Sequence, residues 1–165
     1  MLSWINACIT TPRYSINFNG ESIGYFPGKK GLRQGDPISP YLFVIVMDFL
    51  SQLIRVKTAD NPNFALHWRC EKLKITHLCF ADDLLLLFYA SSESAAVIRD
   101  ILNIFSDFSG LKANNSRSCL FIAAVNGNLA NQISQVLQFP QGELPMRYLG
   151  VPLITARLKK GDCGE

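Results

Sequence analysis

The sequence predicts an α+β fold, in which a mainly antiparallel sheet has helices packed on one face. Three observations predict it. Alternating apolar residues flank an Asn19-Gly20 dipeptide, as in a β-hairpin. Apolar residues recur at helical spacing over 42–53, and a strand-like apolar run over 73–89 is interrupted by two acidic residues. With 165 residues, 48% hydrophobic and 18% charged, the chain has the composition of one globular domain.

Local signals in the first part of the chain define its elements. A short helix is expected over residues 2–9, closed by Pro12, and the Asn-Gly dipeptide predicts a type I′ turn between strands 14–18 and 23–25. A glycine-punctuated basic loop, 28–35, follows. Ser39 is predicted to cap a helix that Pro40 opens and that ends near Arg55, because proline fits the first helical position.

The second part of the chain begins with a polar link and then alternates strands and helices. Serine at 91 or 92 is expected to cap a helix ending near Phe108, with Gly110 just beyond its end. The predicted ranges are a link at 57–72, strands at 73–80 and 84–89, a helix at 91–108, a strand at 118–123, a helix at 129–139 and a strand at 148–154.

Composition excludes several classes of protein. Five cysteines without a C-x-x-C pair give neither a disulfide framework nor a zinc site. The N-terminus lacks the pattern of a signal peptide, and the longest charge-free apolar run, 37–47, is too short to span a bilayer. The net charge of +3 leans towards a polyanionic partner. We therefore expect an intracellular protein, nuclear or cytoplasmic, without a membrane segment.

The two acidic residues, Asp82 and Asp83, are neighbours between apolar segments that are expected to hold them against a core. At about 6 Å and an effective dielectric constant near 20, two carboxylates repel each other by roughly 3 kcal/mol. A divalent cation removes this repulsion, and Mg²⁺ prefers one or two carboxylates together with water and phosphate oxygens. The alternative is an acidic pair that only solvates a turn. The apolar neighbours favour the metal site.

A second motif precedes the first long helix. In "GLRQGDPISPYLF", residues 31–43, two glycines flank Gln34 and let the backbone approach another molecule closely. Asp36 is expected to support the turn into the helix. The cations suited to phosphates are Lys29, Lys30 and Arg33. Taken alone, this loop is better described as a solvated basic surface than as a phosphate-binding site.

Four blocks in this order resemble the reverse transcriptase domain of non-LTR, LINE-type retrotransposons. They are "GLRQGDPISP" at 31–40, "FADD" at 80–83, "SGLKANNSRS" at 109–118 and "YLGVPL" at 148–153. The resemblance implies a partial right-hand polymerase palm over 1–155 and a tail over 156–165. It also implies RNA-templated DNA synthesis with Mg²⁺, an RNA template, a DNA primer and deoxynucleotides.

The resemblance also implies residue roles. Asp82 would be the main metal ligand and Asp83 its less direct partner. Residues at the nucleotide and template would be Lys29, Lys30, Arg33, Gln34 and Gly35, and those at the primer terminus Leu149 and Gly150. Lys112 and Arg117 belong to the block after the hairpin. Arg117 stands where the family has lysine, and arginine is a poor proton donor.

The family's third carboxylate has no counterpart, since Glu21 is the sole acidic residue before Asp36. The first catalytic block, the fingers and the thumb are thus expected to be missing, and the chain alone is expected to be inactive. Two alternatives stay open. One is a non-catalytic nucleic-acid-binding remnant that uses the basic loop. The other is a non-functional pseudogene product that does not fold stably. His67 and His77 are expected to be structural.

Overall fold

The computed structural model describes residues 2–29, 31–123 and 125–153. Its mixture of helices and antiparallel hairpins confirms the predicted α+β class. The elements are α1 (Leu2–Thr10), β1 (Arg13–Phe18), β2 (Glu21–Pro27), α2 (Ser39–Thr58), β3 (His77–Phe80), β4 (Asp83–Leu86), α3 (Ser92–Ser109), α4 (Gly127–Leu137), β5 (Met146–Tyr148) and β6 (Val151–Leu153), with a 3₁₀ turn at Glu71–Leu73. The predicted tail, 156–165, lies outside the described residues.

The chain divides into two compact units between Asp48 and Phe49, inside α2. In the first unit, β1 and β2 form an antiparallel hairpin in which Phe18 pairs with Glu21. Asn19 and Gly20 have φ values of 53° and 87°. Positive φ at both turn residues is the property of a type I′ turn, so the sequence-based prediction is confirmed.

The core of the second unit lies where α3 and α4 pack together. Their buried residues recur at helical spacing: Ala95, Ile98, Ile101 and Phe105 in α3, and Ala130, Ile133 and Leu137 in α4. Leu50 and Ile54 of α2 are also buried. The Ser91 hydroxyl accepts the Ser94 N–H at 3.1 Å and caps α3, while Gly110 ends it with a φ of 73°.

Four strand predictions are corrected. The strand expected at 84–89 spans only Asp83–Leu86. The strand expected from residue 73 begins at His77, because Glu71–Leu73 form a 3₁₀ turn and Lys74 has a φ of 50°. The strand expected at 118–123 is reduced to one parallel bridge between Leu120 and Gln141. The strand expected at 148–154 is two strands, β5 and β6, since a turn at 149–150 reverses the chain; residue 154 lies outside the described residues.

Within the described part of the chain, the strands pair as three separate two-stranded sheets. Antiparallel pairing is therefore as predicted, but it is confined to local hairpins. In the same part, α2 is the one helix whose length and composition would allow it to cross a membrane. Length and composition alone do not make a helix a membrane span, and the expected absence of a membrane segment and the expected compartment stay predictions.

His77 connects β3 to α2 within the second unit. Its Nε2 lies 3.0 Å from the Ser51 hydroxyl and its Nδ1 lies 2.9 Å from the Thr76 hydroxyl. This placement agrees with the structural role expected for His77. Burial, followed by the positive charge of Arg55, lowers the pKa of His77 below its ordinary value of 6.5.

This lowered pKa predicts an acid-sensitive contribution to stability. The unfolded chain binds a proton at position 77 more readily than the folded chain, so stability rises with pH across this range. The contribution of His77 is complete above pH 6.5 and is lost as the pH falls from 6.5 through the lower folded-state pKa. We expect His77→Gln, which cannot titrate, to reduce the loss of unfolding free energy between neutral and mildly acidic pH, as measured by urea denaturation. His67→Gln leaves the His77 contacts in place and should keep the wild-type dependence; equal curves for the wild type and His77→Gln would contradict the prediction.

Candidate active site

The candidate site is built on the β3–β4 hairpin. Phe80 pairs with Asp83, so the turn consists of Ala81 and Asp82 alone. Ala81 has a φ of 50°, in the left-handed region that costs a residue with a Cβ atom about 1 kcal/mol. Such strain is typical of functional sites, where the surrounding structure holds an otherwise unfavourable conformation. The turn places both aspartates at the tip of the hairpin.

Both aspartates are exposed, and within the described residues neither carboxylate takes part in a hydrogen bond or an ion pair. Their oxygens are therefore available to a cation. The expectation that apolar neighbours hold the pair against a core is wrong, since Phe80 beside it is 63% exposed and Leu78 is also exposed. The reason is that β3 and β4 pair only with each other in the described chain, which leaves the tip of the hairpin uncovered.

The donor set fits Mg²⁺ as a partial ligand set. Mg²⁺ is bound through one or two carboxylates and keeps several waters or phosphate oxygens, and Asp82 and Asp83 supply two carboxylates. Residues 2–29, 31–123 and 125–153 contain no group of three or more His, Cys, Asp or Glu side chains that could hold a metal. A Mg²⁺ ion bound here would take at most two protein ligands from the pair and the rest of its coordination shell from other groups.

The β5–β6 hairpin adjoins the aspartates. Leu149 and Gly150 form its turn, with φ values of 52° and 80°, and the Tyr148 hydroxyl donates a long hydrogen bond of 3.4 Å to the Asp83 carbonyl oxygen. Partial burial, followed by the nearby Cys79 and Asp83, raises the pKa of Tyr148. The structure therefore brings Tyr148, which precedes the predicted primer-terminus residues, into contact with the backbone of Asp83, although 65 positions separate the two residues.

Cys79 supports the same turn from β3. Its thiol lies 3.6 Å from the Ala81 carbonyl oxygen, to which it donates. Burial raises the pKa of the Cys79 thiol, which keeps it protonated and makes it a poor nucleophile. Cys79 is therefore a support for the strained turn.

The glycine-flanked loop lies in the first unit. Gly31 and Gly35 both have a φ of 83°, and Lys29, Arg33 and Gln34 are exposed. Lys30, predicted to contact phosphates, lies outside the described residues. The roles of these residues at the nucleotide and the template stay predictions.

The turn into α2 is formed by Asp36, as predicted. One Asp36 carboxylate oxygen accepts the Ile38 N–H at 3.1 Å. Ser39 is the first residue of α2, and its hydroxyl donates to the Arg33 carbonyl at 2.7 Å. The prediction that Ser39 caps the helix is therefore corrected, because its hydroxyl is used to hold the loop.

The block after the hairpin is an exposed turn. Asn114 Oδ1 accepts two hydrogen bonds from Ser116, one from its backbone N–H at 3.1 Å and one from its side-chain hydroxyl at 2.7 Å. Lys112 and Arg117 are exposed, and neither side chain forms an ion pair with another described residue. Their catalytic roles stay predictions.

Comparison with known proteins identifies the family. Over residues 1–153 the chain matches the reverse transcriptase (RNA-dependent DNA polymerase) family. The chain belongs to this family. Because the match extends to the end of β6, it includes the β3–β4 and β5–β6 hairpins that are joined at Asp83.

Two relatives refine the assignment. The reverse transcriptase domain is 40% identical over 65 residues to an uncharacterized mitochondrial protein of Arabidopsis thaliana, covering 39% of this chain and 53% of that protein. It is 37% identical over 87 residues to the retrovirus-related Pol polyprotein from type-1 retrotransposable element R2 of Popillia japonica, covering 53% of this chain and 13% of that polyprotein. The chain thus spans about half of one relative and a small part of the other. The second similarity confirms the predicted non-LTR retrotransposon type.

Two features of this reverse transcriptase domain have no role assigned from the sequence. Tyr148 precedes the predicted primer-terminus residues, and its contact with Asp83 depends on folding. Trp68 and Arg69 lie in the segment predicted to be only a polar link, yet they form an exposed aromatic–cation pair. The sequence signal that could have indicated this aromatic–cation pair is the run "HWRCEKLK" at 67–74, in which a tryptophan stands among basic residues.

Proposed function

We propose that this reverse transcriptase domain supplies the carboxylate pair of an RNA-directed DNA polymerase centre. The observation that supports the proposal is the position of Asp82 and Asp83. They stand exposed on a strained turn, without protein partners for their carboxylates in the described chain, and the β5–β6 hairpin is hydrogen-bonded beside them.

In this proposal Asp82 and Asp83 hold Mg²⁺, with Asp82 as the main ligand. The ion, when bound, would stabilise negative charge at the α-phosphate of the incoming deoxynucleotide. The Ala81–Asp82 turn orients the carboxylates, and Leu149 and Gly150 position the primer terminus.

The remaining predicted residues complete the proposed substrate site. Gln34 and Gly35 lie against the nascent base pair, and the basic residues around them contact phosphates of the template and the nucleotide. These basic residues are Lys29, Lys30 and Arg33. Lys112 and Arg117 are proposed to lie beside the leaving pyrophosphate.

We further propose that the 165 residues alone do not polymerise. Two-metal phosphoryl transfer depends on neutralising charge on both the attacking and the leaving oxygens. Glu21, the sole acidic residue ahead of the glycine-flanked loop, lies directly after the Asn-Gly turn, where it pairs with Phe18. It has no feature of a third metal ligand, so a further carboxylate must come from another segment.

The test measures binding and extension in one sample. The purified chain is incubated with Mg²⁺, deoxynucleotides and a DNA primer labelled with a fluorophore and annealed to an RNA template. We expect the fluorescence anisotropy to report binding that weakens as salt rises, because phosphate contacts release counterions, and we expect no extension above an Asp82→Asn/Asp83→Asn double variant. Absence of binding would refute the polymerase role, whereas extension by the wild type but not by the double variant would refute the proposed inactivity.

A further inference from the structure

The segment His67–Lys74, here called the tryptophan segment, presents an exposed indole beside a cation. The Trp68 side chain is 66% exposed. The guanidinium carbon of Arg69 lies 4.7 Å from the centroid of the Trp68 ring, and the His67 ring stacks on Trp68 with centroids 5.8 Å apart. Because two thirds of the side chain stays exposed beside these two groups, the indole is accessible to a ligand.

Backbone hydrogen bonds hold the tryptophan segment in one conformation. The Cys70 N–H donates to the His67 carbonyl at 2.8 Å, and the Arg69 N–H donates to His67 Nδ1 at 3.3 Å. The 3₁₀ turn then follows, in which the Lys74 N–H donates to the Glu71 carbonyl at 3.1 Å. A ligand would therefore meet a pre-formed surface, and the ordering cost of binding is small.

The tryptophan segment also carries excess positive charge. Arg69, Lys72 and Lys74 are exposed, against one exposed carboxylate, Glu71. In the described part of the chain none of these three cations forms an ion pair. Their charges are thus free to interact with an anionic ligand, and Glu71 alone opposes it.

We infer that the tryptophan segment binds a single-stranded polynucleotide, with a base stacked on Trp68 and phosphates at Arg69, Lys72 and Lys74. Single strands are bound where an aromatic platform stands beside cations that follow the backbone, because every base has a face that can stack. An exposed aromatic ring beside cations favours any ligand that carries both planar groups and negative charges. The choice of a polynucleotide among such ligands rests on the proposed function.

The position of the segment fits this inference. It leads directly into β3, and the Leu87 N–H donates to the carbonyl of Thr76, the residue before β3, at 2.8 Å. The tryptophan segment is therefore continuous with the hairpin that carries the aspartates. A polynucleotide bound at Trp68 would therefore lie on the same compact unit as the proposed metal ligands.

Fluorescence of Trp68 tests the inference. The chain has two tryptophans, so Trp4→Phe leaves Trp68 as the sole one. Oligo(dT) and oligo(U) of about 12 nucleotides, within the usual site sizes, are titrated separately to distinguish DNA from RNA. We expect saturable quenching with either or both. In anisotropy measurements with labelled oligonucleotides, Trp68→Ala should weaken binding roughly 5- to 150-fold, the loss typical for one stacked base.

Graded variants separate stacking from charge. Trp68→Phe should lose less affinity than Trp68→Ala, and Arg69→Lys should lose affinity although it keeps the charge, because lysine lacks the planar guanidinium. Glu71→Gln should bind more tightly. If three cations pair with phosphates, the logarithm of the binding constant should fall with the logarithm of salt with a slope of about −2.

The control is Trp4→Ala, which removes a still more exposed tryptophan, 79% accessible, from the other unit and should leave affinity unchanged. Unquenched Trp68 fluorescence despite binding, unchanged affinity in a folded Trp68→Ala variant, or no binding of either oligonucleotide would each overturn the inference. Mn²⁺ binding by the wild type tests the metal site of the proposed function in a separate measurement. Failure of that function is therefore distinguishable from failure of the tryptophan segment.

Discussion

Replacing Asp82 and Asp83 with asparagine is expected to abolish divalent-cation binding by this domain. Two unit charges about 4 Å apart in water attract each other by about 1 kcal/mol. Each exposed carboxylate therefore contributes about 2 kcal/mol to the binding free energy of a divalent ion, which is roughly 30-fold in affinity. The double variant should then lose roughly a thousand-fold if the two contributions add. Electron paramagnetic resonance of Mn²⁺, a hard cation that replaces Mg²⁺ at carboxylate sites, measures the bound fraction directly.

The single variants and a matched control sharpen this test. Asp82→Asn should reduce affinity more than Asp83→Asn if Asp82 is the main ligand. Asp107→Asn removes an exposed carboxylate from α3 in the same unit and should leave Mn²⁺ binding unchanged. Wild-type affinity in the double variant would show that the acidic pair only solvates its turn.

Replacing Ile101 with alanine is expected to lower the free energy of unfolding by about 3 kcal/mol. Ile101 is 1% exposed in the core formed by α3 and α4, and truncating such a residue loses its transfer free energy and leaves a cavity. This is a large share of the 5–15 kcal/mol that stabilises a typical domain. Urea denaturation followed by circular dichroism at the helical wavelengths gives the value.

The same experiment tests whether the chain folds stably. Val56→Ala in α2, where Val56 is 72% exposed, should change the free energy of unfolding by less than about 0.5 kcal/mol. Equal effects of the two substitutions would mean that the α3–α4 core does not stabilise the fold. A gradual transition without cooperativity would favour the alternative of a product with no stable structure.

Helices and tight turns of this domain were predictable because their signals are local. The apolar spacing of α2 and α3, the Ser91 cap and the Asn19-Gly20 turn each depend on residues a few positions apart. Strand limits were less predictable. The 118–123 segment has the apolar content of a strand, but a strand also needs a partner strand. Within the described chain, this segment forms a single bridge, between Leu120 and Gln141.

The candidate site also has one part that was predictable from the sequence and one part that was not. Asp82 and Asp83 were predictable as a pair, because an uncompensated acidic doublet among apolar residues needs a physical explanation. Their exposure was not, because the burial of a hairpin depends on what packs against it. The exposed pair Trp68 and Arg69 was missed since a polar composition was read as a simple link.

The sequence by itself determined the family of this protein and the residue types of its candidate site, because the order of short motifs is a property of the chain. The tertiary structure alone decided that Tyr148 reaches the carbonyl of Asp83 across 65 positions, and that the acidic pair stands open to solvent. Contacts of this kind form only when distant segments pack, and no local pattern of residues specifies which surfaces that packing covers.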